Sequence, residues 1–202
     1  LTGFFLAKSV SSRYIFIIGF SIFALFHFWF TFLFVPDASL SDIAIPYMLQ
    51  GVAVGIIFVP LVLFTVAAVP THYAPFAGVV GVAGRFWGSI MGFAMIQNAG
   101  LFLQSTHFTK FRQFIIPESP ETQRRVEQLT RNFMAKGYTL DDSNALAMKQ
   151  IISSVSKQSV LLSNMEIFTA IGYLMVIVVI FLLLNQHLRQ TFDLFKNRIW
   201  GT

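Results

Sequence analysis

Residues 45–93 read IPYMLQGVAVGIIFVPLVLFTVAAVPTHYAPFAGVVGVAGRFWGSIMGF. Two apolar runs flank one polar turn, Pro70-Thr71-His72-Tyr73-Ala74-Pro75, and no charged side chain occurs from Ile43 until Arg85. A helix crosses the ~30 Å hydrocarbon core with about 20 apolar residues, so this stretch suffices for two crossings and far exceeds a soluble core helix. It also carries residues that mere anchoring does not need. Pro60 lies in mid-span, Gln50 near one end and Arg85 well inside the second run. Gly51 and Gly55 form a G-x-x-x-G pair, and Gly84, Gly88 and Gly92 follow one another at four-residue steps. Small residues so spaced share a helix face and let another helix approach closely.

The chain divides into seven segments. Residues 1–13 are the end of a membrane helix and a short basic loop; 14–35, 42–69 and 76–104 are spans A, B and C. Residues 105–160 form the one extended polar region, 161–184 is span D, and 185–202 is a tail with Arg189, Lys196 and Arg198. Each span is long enough to cross at 1.5 Å per residue. Composition agrees: 55% of the 202 residues are hydrophobic, 11% are charged and 24 are phenylalanine, and the mean hydropathy is +0.69. This is an all-α integral membrane protein. The absence of cysteine excludes disulfides, Cys-ligated zinc and Cys nucleophiles. The net charge of +5 flanks apolar spans or sits on the polar segment, so it speaks of topology and not of nucleic acid.

In the turn before span B, Ser41 or Asp42 can cap the next helix, and Pro46 suits its first turn. Pro60 cannot donate to the carbonyl of Ile56 and is expected to kink span B, which a bilayer tolerates only against protein or a wet cavity. Arg85 follows Gly84 and so projects about 100° round the helix from it. It either snorkels to the interface or faces protein or a wet cavity, where an interior arginine costs about 2.5–3.5 kcal/mol and needs acceptors. His27, among Phe and Trp, makes an interhelical hydrogen bond, takes part in proton or ligand handling, or simply faces lipid. Glu166 opens span D, either as a charge favoured at a helix N-terminus or as a carboxylate that meets protons or cations.

In the polar region Ser119-Pro120-Glu121 starts a helix with an apolar stripe of Val126, Leu129 and Phe133, and Gly137 stops it. Thr139 to Asp142 resembles a capping box and starts a second helix. Both read as amphipathic helices on the membrane surface or on the protein, their mixed charges solvated. No H-E-x-x-H, G-x-S-x-G, Walker loop or dinucleotide fingerprint occurs, and the four histidines are scattered. Catalysis, a metal site and a cofactor are not expected. One guanidinium, one carboxylate, one amide and one imidazole in or near apolar spans instead mark a substrate or ion path.

LQGVAVGIIFVPL, then a turn, then a span with Arg85 about nine residues in, then GSIMG, resembles the C-terminal half of the drug:proton antiporters of the major facilitator superfamily, in the fourteen-helix EmrB/QacA branch. The long polar segment before a helix opening on Glu166-Ile167-Phe168 also fits. Residues 3–13 are a degenerate copy of the superfamily's basic loop, with Lys8 at the position of its Asp. Where the family often has Asn-Phe ahead of the arginine, Val82 and Ala83 stand here. The resemblance implies four helices of a carrier's C-terminal half with an extracytoplasmic amphipathic segment. It also implies proton-coupled export of amphipathic or cationic small molecules across the bacterial cytoplasmic (inner) membrane. The expected partners are lipid, substrate, protons, the carrier's N-terminal half and a periplasmic adaptor protein. Arg85, Gln50, Glu166 and His27 are the transport and coupling candidates, with Pro60, Gly51, Gly55, Gly84, Gly88 and Gly92 for kink and packing. The rival reading is a non-transporting membrane scaffold in which Arg85 is a structural clamp. The resemblance and the basic ends place 8–13, the 70–75 turn and the tail in the cytoplasm and 105–160 outside. The basic-residue count, higher in 105–160, opposes this.

Overall fold

The computed structural model describes residues 12–36, 38–67, 69–115 and 119–185. The expectations placed on 1–11 and 186–202 lie outside them. All five long elements are helices: α1 (Ser12–Thr31), α2 (Leu40–Ala67), α3 (Ala74–Arg112), α4 (Pro120–Met134) and α5 (Leu140–Leu184), with a 3-10 turn at Thr71–Tyr73. Four of them, all but α4, are long and apolar enough to cross a membrane. The chain is therefore an all-α, multi-pass membrane protein.

Local chemistry sets the ends. The α1 chain tightens into two 3-10 steps, Phe32 N–H to Trp29 O and Leu33 N–H to Phe30 O, before Pro36. The cap of α2 is Ser39, not Ser41 or Asp42: its Oγ accepts from the Asp42 amide at 3.3 Å, and Asp42 Oδ2 accepts from the Ser39 amide at 3.2 Å. That reciprocal pair satisfies two donors a helix start leaves orphaned. Pro46 consequently falls in the second turn, not the first, and α2 runs through both Pro46 and Pro60 without a break. Both proline rings are buried to below 2% exposure, so protein covers the helix where each removes a donor. At α4, Ser119 has the extended N-cap conformation ahead of Pro120 but makes no side-chain cap bond. Gly137 takes φ +95° three residues beyond Met134, a conformation open mainly to glycine. Thr139 Oγ accepts from the Asp142 amide at 3.3 Å and starts α5. The second amphipathic helix and span D, read as separate, are one continuous helix of 45 residues.

The chain divides into two compact units. One contains the chain up to Met95 and from Glu166 onward; the other is Ile96–Met165. In the first, α1 lies between α2 and the C-terminal part of α5, antiparallel to both. Against α2 it sets Phe16 by Phe64 (ring centroids 5.8 Å) and Phe26 by Tyr47 (5.9 Å). Against α5 it sets Phe28 by Tyr173 (5.3 Å), Phe30 by Phe168 (5.0 Å) and Thr31 Oγ1 by Thr169 Oγ1 (3.3 Å). Two glycines permit this. A Cβ on Gly19 would lie 2.6 Å from Ile57 Cγ1, and one on Gly172 would lie 3.0 Å from the Phe28 ring. Phe26, 1% exposed, is the centre of this core. Each favourable ring pair adds about 0.5–1.5 kcal/mol beyond its buried area. At the far end Arg13 reaches across to the last turn of α5, its Nε donating to Leu182 O at 2.7 Å and its Nη2 to Leu183 O.

In the second unit, α4 buries Leu129 and Thr130. Thr130 Oγ1 donates to Asn144 Oδ1 of α5 at 2.9 Å, so the apolar stripe of α4 lies on protein. Ser159 and Ser163 are buried, each donating to the carbonyl four residues back, at 2.8 and 2.7 Å. Such hydroxyls bring no unmet donor of their own into a buried face.

Candidate functional site

The candidate site lies where α2 meets α3. Gly81, on the second turn of α3, faces Thr65 of α2 so closely that a methyl there would collide with Thr65 Cγ2. The Thr65 hydroxyl turns back to Leu61 O at 2.9 Å, leaving its methyl for this contact. One turn on, the Arg85 guanidinium lies over the Phe58 ring, 5.3 Å from its centroid. Arg85 is half-buried, and among the described residues it has neither an ion-pair nor a side-chain hydrogen-bond partner. The ring face offers a partly desolvated cation about 0.5–2 kcal/mol, less than the cost of an interior arginine, so its N–H donors still call for acceptors. Phe58 is positioned two residues ahead of the buried Pro60. This is the region of α2 where the missing Pro60 donor relieves the Ile56 carbonyl of its helical bond.

The other candidates distribute unevenly. Gln50 is half-buried on α2, and beside it Gly51 and Gly55 have open space: a Cβ on either meets nothing within 4 Å. Gly84, Gly88 and Gly92 are equally open. Among the described residues, close helix approaches instead use Gly19, Gly81 and Gly172. His27 is remote in partners from Arg85. It is buried on α1, its Nδ1 2.8 Å from Phe23 O, and its ring packs on Phe23, Phe26 and Phe168 at 4.7–5.4 Å. Its Nδ1 partner lies on its own helix, not on a neighbour as the interhelical reading expected. Glu166 does not open a helix. It lies deep inside α5, which starts at Leu140, so an N-terminal dipole cannot be what favours its charge. A shallow apolar concavity runs along α3 from Pro75 to Trp87, with Val82 and Phe86 among its lining and no charged group there. Among the described residues no group of three or more His, Cys, Asp or Glu could hold a metal ion.

Sequence reasoning missed Arg13, Gly19 and Gly172. Arg13 reads as one more basic residue of a loop, and lone glycines in apolar helices carry no local signal. Only the partner helix reveals what each of them meets.

No family model matches the chain, and no solved structure does. Two curated proteins do. The multidrug export protein EmrB of Haemophilus influenzae is 24% identical over 173 residues, covering 85% of this chain and 32% of that protein. The fatty acid resistance protein FarB of Neisseria gonorrhoeae is 22% identical over 172 residues, again 85% of this chain and 32% of the relative. With four apolar helices able to cross a membrane, the chain is thus similar to EmrB and FarB and spans about a third of the length of each.

Proposed function

We propose that the chain is the C-terminal portion of a proton-coupled secondary transporter, one that exports amphipathic small molecules across the bacterial cytoplasmic membrane. The relatives' names, multidrug export and fatty acid resistance, support an amphipathic cargo. The observation that carries the reading is Arg85. It is the one charged side chain between Ile43 and Thr109, it lies inside a membrane span, and no acid among the described residues pairs with it. A guanidinium stays charged at any working pH, so it cannot carry the exchanged proton. It can attract an anionic group of the cargo, or tune a carboxylate supplied by the rest of the carrier. Glu166 and His27 are two groups in the described spans able to gain or lose a proton. In this topology the 70–75 turn is cytoplasmic and 105–160 is outside; a cysteine placed at Lys136 then reacts with an impermeant thiol reagent in whole cells, and labelling only after lysis reverses the assignment.

A second reading rests on the contact between Arg85 and Phe58, which ties α3 to α2 and suits a clamp in a membrane scaffold. Efflux of a fluorescent amphiphile by the full carrier separates the two. Arg85→Ala is expected to abolish efflux while the protein still inserts, and Arg85→Lys, which keeps charge but loses the planar fork, to impair it. Normal efflux by Arg85→Ala at equal expression rejects the transport role and leaves the clamp.

A further inference from the structure

The seam between α2 and α3 is closed at one end and open at the other. It is closed where Gly81 meets Thr65 and where Arg85 covers Phe58. Gly88 and Gly92 come two and three turns after Gly81 and stay within about 20° of its direction, since seven residues bring a helix back to nearly the same face. Had the helices stayed together, both would face α2 closely. Instead a Cβ at either meets nothing within 4 Å. The α2 wall matches. Gly51 lies one heptad before Phe58 and hence on its face, Gly55 is one turn on, and both are open. Counting an antiparallel pair onward from the two contacts sets Gly88 level with positions 55–58 and Gly92 level with positions 51–54. Two open glycines of α3 therefore lie opposite two open glycines of α2. The side chains beside them are exposed as well, Val54 at 47% and Met91 at 64%.

Glycines at matched levels on two helices remove the side chains that would hold the backbones apart. The α2 side is held fast: α2 is packed on α1, and α1 on α5, by the ring pairs and glycine contacts described above. On the other side, α3 is joined to α2 through the short 3-10 turn Thr71–Tyr73, between Pro70 and Pro75. We propose that α2 and α3 form a hinged pair that closes glycine on glycine, Gly55 against Gly88 and Gly51 against Gly92, shutting the cleft beside Arg85. In this structure the hinge is open. The purpose of the movement, alternate exposure of Arg85, rests on the transport reading; its geometry does not.

Disulfide crosslinking in the full-length carrier tests it, and this chain brings no cysteine of its own. Gly55→Cys with Gly88→Cys, and Gly51→Cys with Gly92→Cys, are oxidised in membranes. A disulfide needs Cα atoms about 4.4–6.8 Å apart, which requires the closed pair. The reference is Thr31→Cys with Thr169→Cys, whose hydroxyls are already 3.3 Å apart. We expect a crosslink in at least one glycine pair, with a yield that changes on adding substrate or a pH gradient, and loss of efflux until reduction. The reference pair should crosslink with efflux retained. No crosslink in either glycine pair while the reference forms, or full efflux with the glycine pair crosslinked, overturns the hinge. Gly88→Leu and Gly92→Leu obstruct closure and should abolish efflux at unchanged membrane abundance; undiminished efflux in both also overturns it. A responsive crosslink in a chain that exports nothing supports the hinge and counts against the transport reading.

Discussion

Replacing Arg13 by alanine should loosen the end of α5 and little else. In the folded chain Arg13 Nε donates to Leu182 O at 2.7 Å, and Nη2 donates to Leu183 O. Both carbonyls belong to the last turn of α5, where helical acceptors have no partner of their own and the helix dipole favours a cation. A hydrogen bond from a charged donor contributes about 1.5–3 kcal/mol; the part-buried bond to Leu182 merits about 1.5 and the exposed bond to Leu183 about 0.5. The loss is then about 2 kcal/mol, and since every 1.4 kcal/mol is tenfold, the last turn should open about thirtyfold more often. Hydrogen exchange of the full carrier in a bilayer reads this directly, because amides of a locally opening segment exchange in proportion to its open population. Faster exchange confined to the last turn of α5 in Arg13→Ala, with an intermediate rate in Arg13→Lys, is the expected pattern. The lysine keeps the charge near the helix end, worth about 0.3–1 kcal/mol, but not the two-pronged geometry. Exchange in the last turn identical to the parent's would refute the assignment of Arg13 as the cap of α5.

Gly19→Ala should destabilise the carrier. The methyl would lie 2.6 Å from Ile57 Cγ1 and 3.2 Å from Ile56 Cγ2, overpacking of about 1–3 kcal/mol against a helix-propensity gain of at most about 1. Ile57 is β-branched on a helix and has little rotamer freedom to yield, so thermal unfolding should shift down and Ile57→Ala should partly restore it; an unchanged melt means the helices simply part. For Glu166→Gln the structure removes the helix-terminus explanation, so a flattened pH dependence of efflux is expected; an unaltered pH profile excludes this carboxylate from coupling.

Hydropathy along the chain is enough to make it an all-helical membrane protein and to mark the stretches that can cross. Hydrophobic length is a one-dimensional quantity, and a bilayer admits few answers to a run as long as 43–84. It also singled out Arg85, because a charge in a span is anomalous wherever the span packs. Capping was partly legible: Thr139 with Asp142 and the stop at Gly137 follow from local chemistry, whereas the cap of α2 fell to Ser39, whose hydroxyl meets the Asp42 amide, and not to Ser41 or Asp42. What each special residue meets depends on how the helices pack. Gly88 and Gly92 look in sequence like a packing face and are open, while Gly19 and Gly172 look unremarkable and hold three helices together. Arg13 reads as loop charge and caps the last turn of α5. Glu166 reads as a helix start and lies inside an unbroken α5. The physical reason is common to all of these. Burial in lipid and burial in protein select the same apolar residues, so hydropathy shows where a helix runs. Which of its faces meets another helix depends on residues far away in the chain.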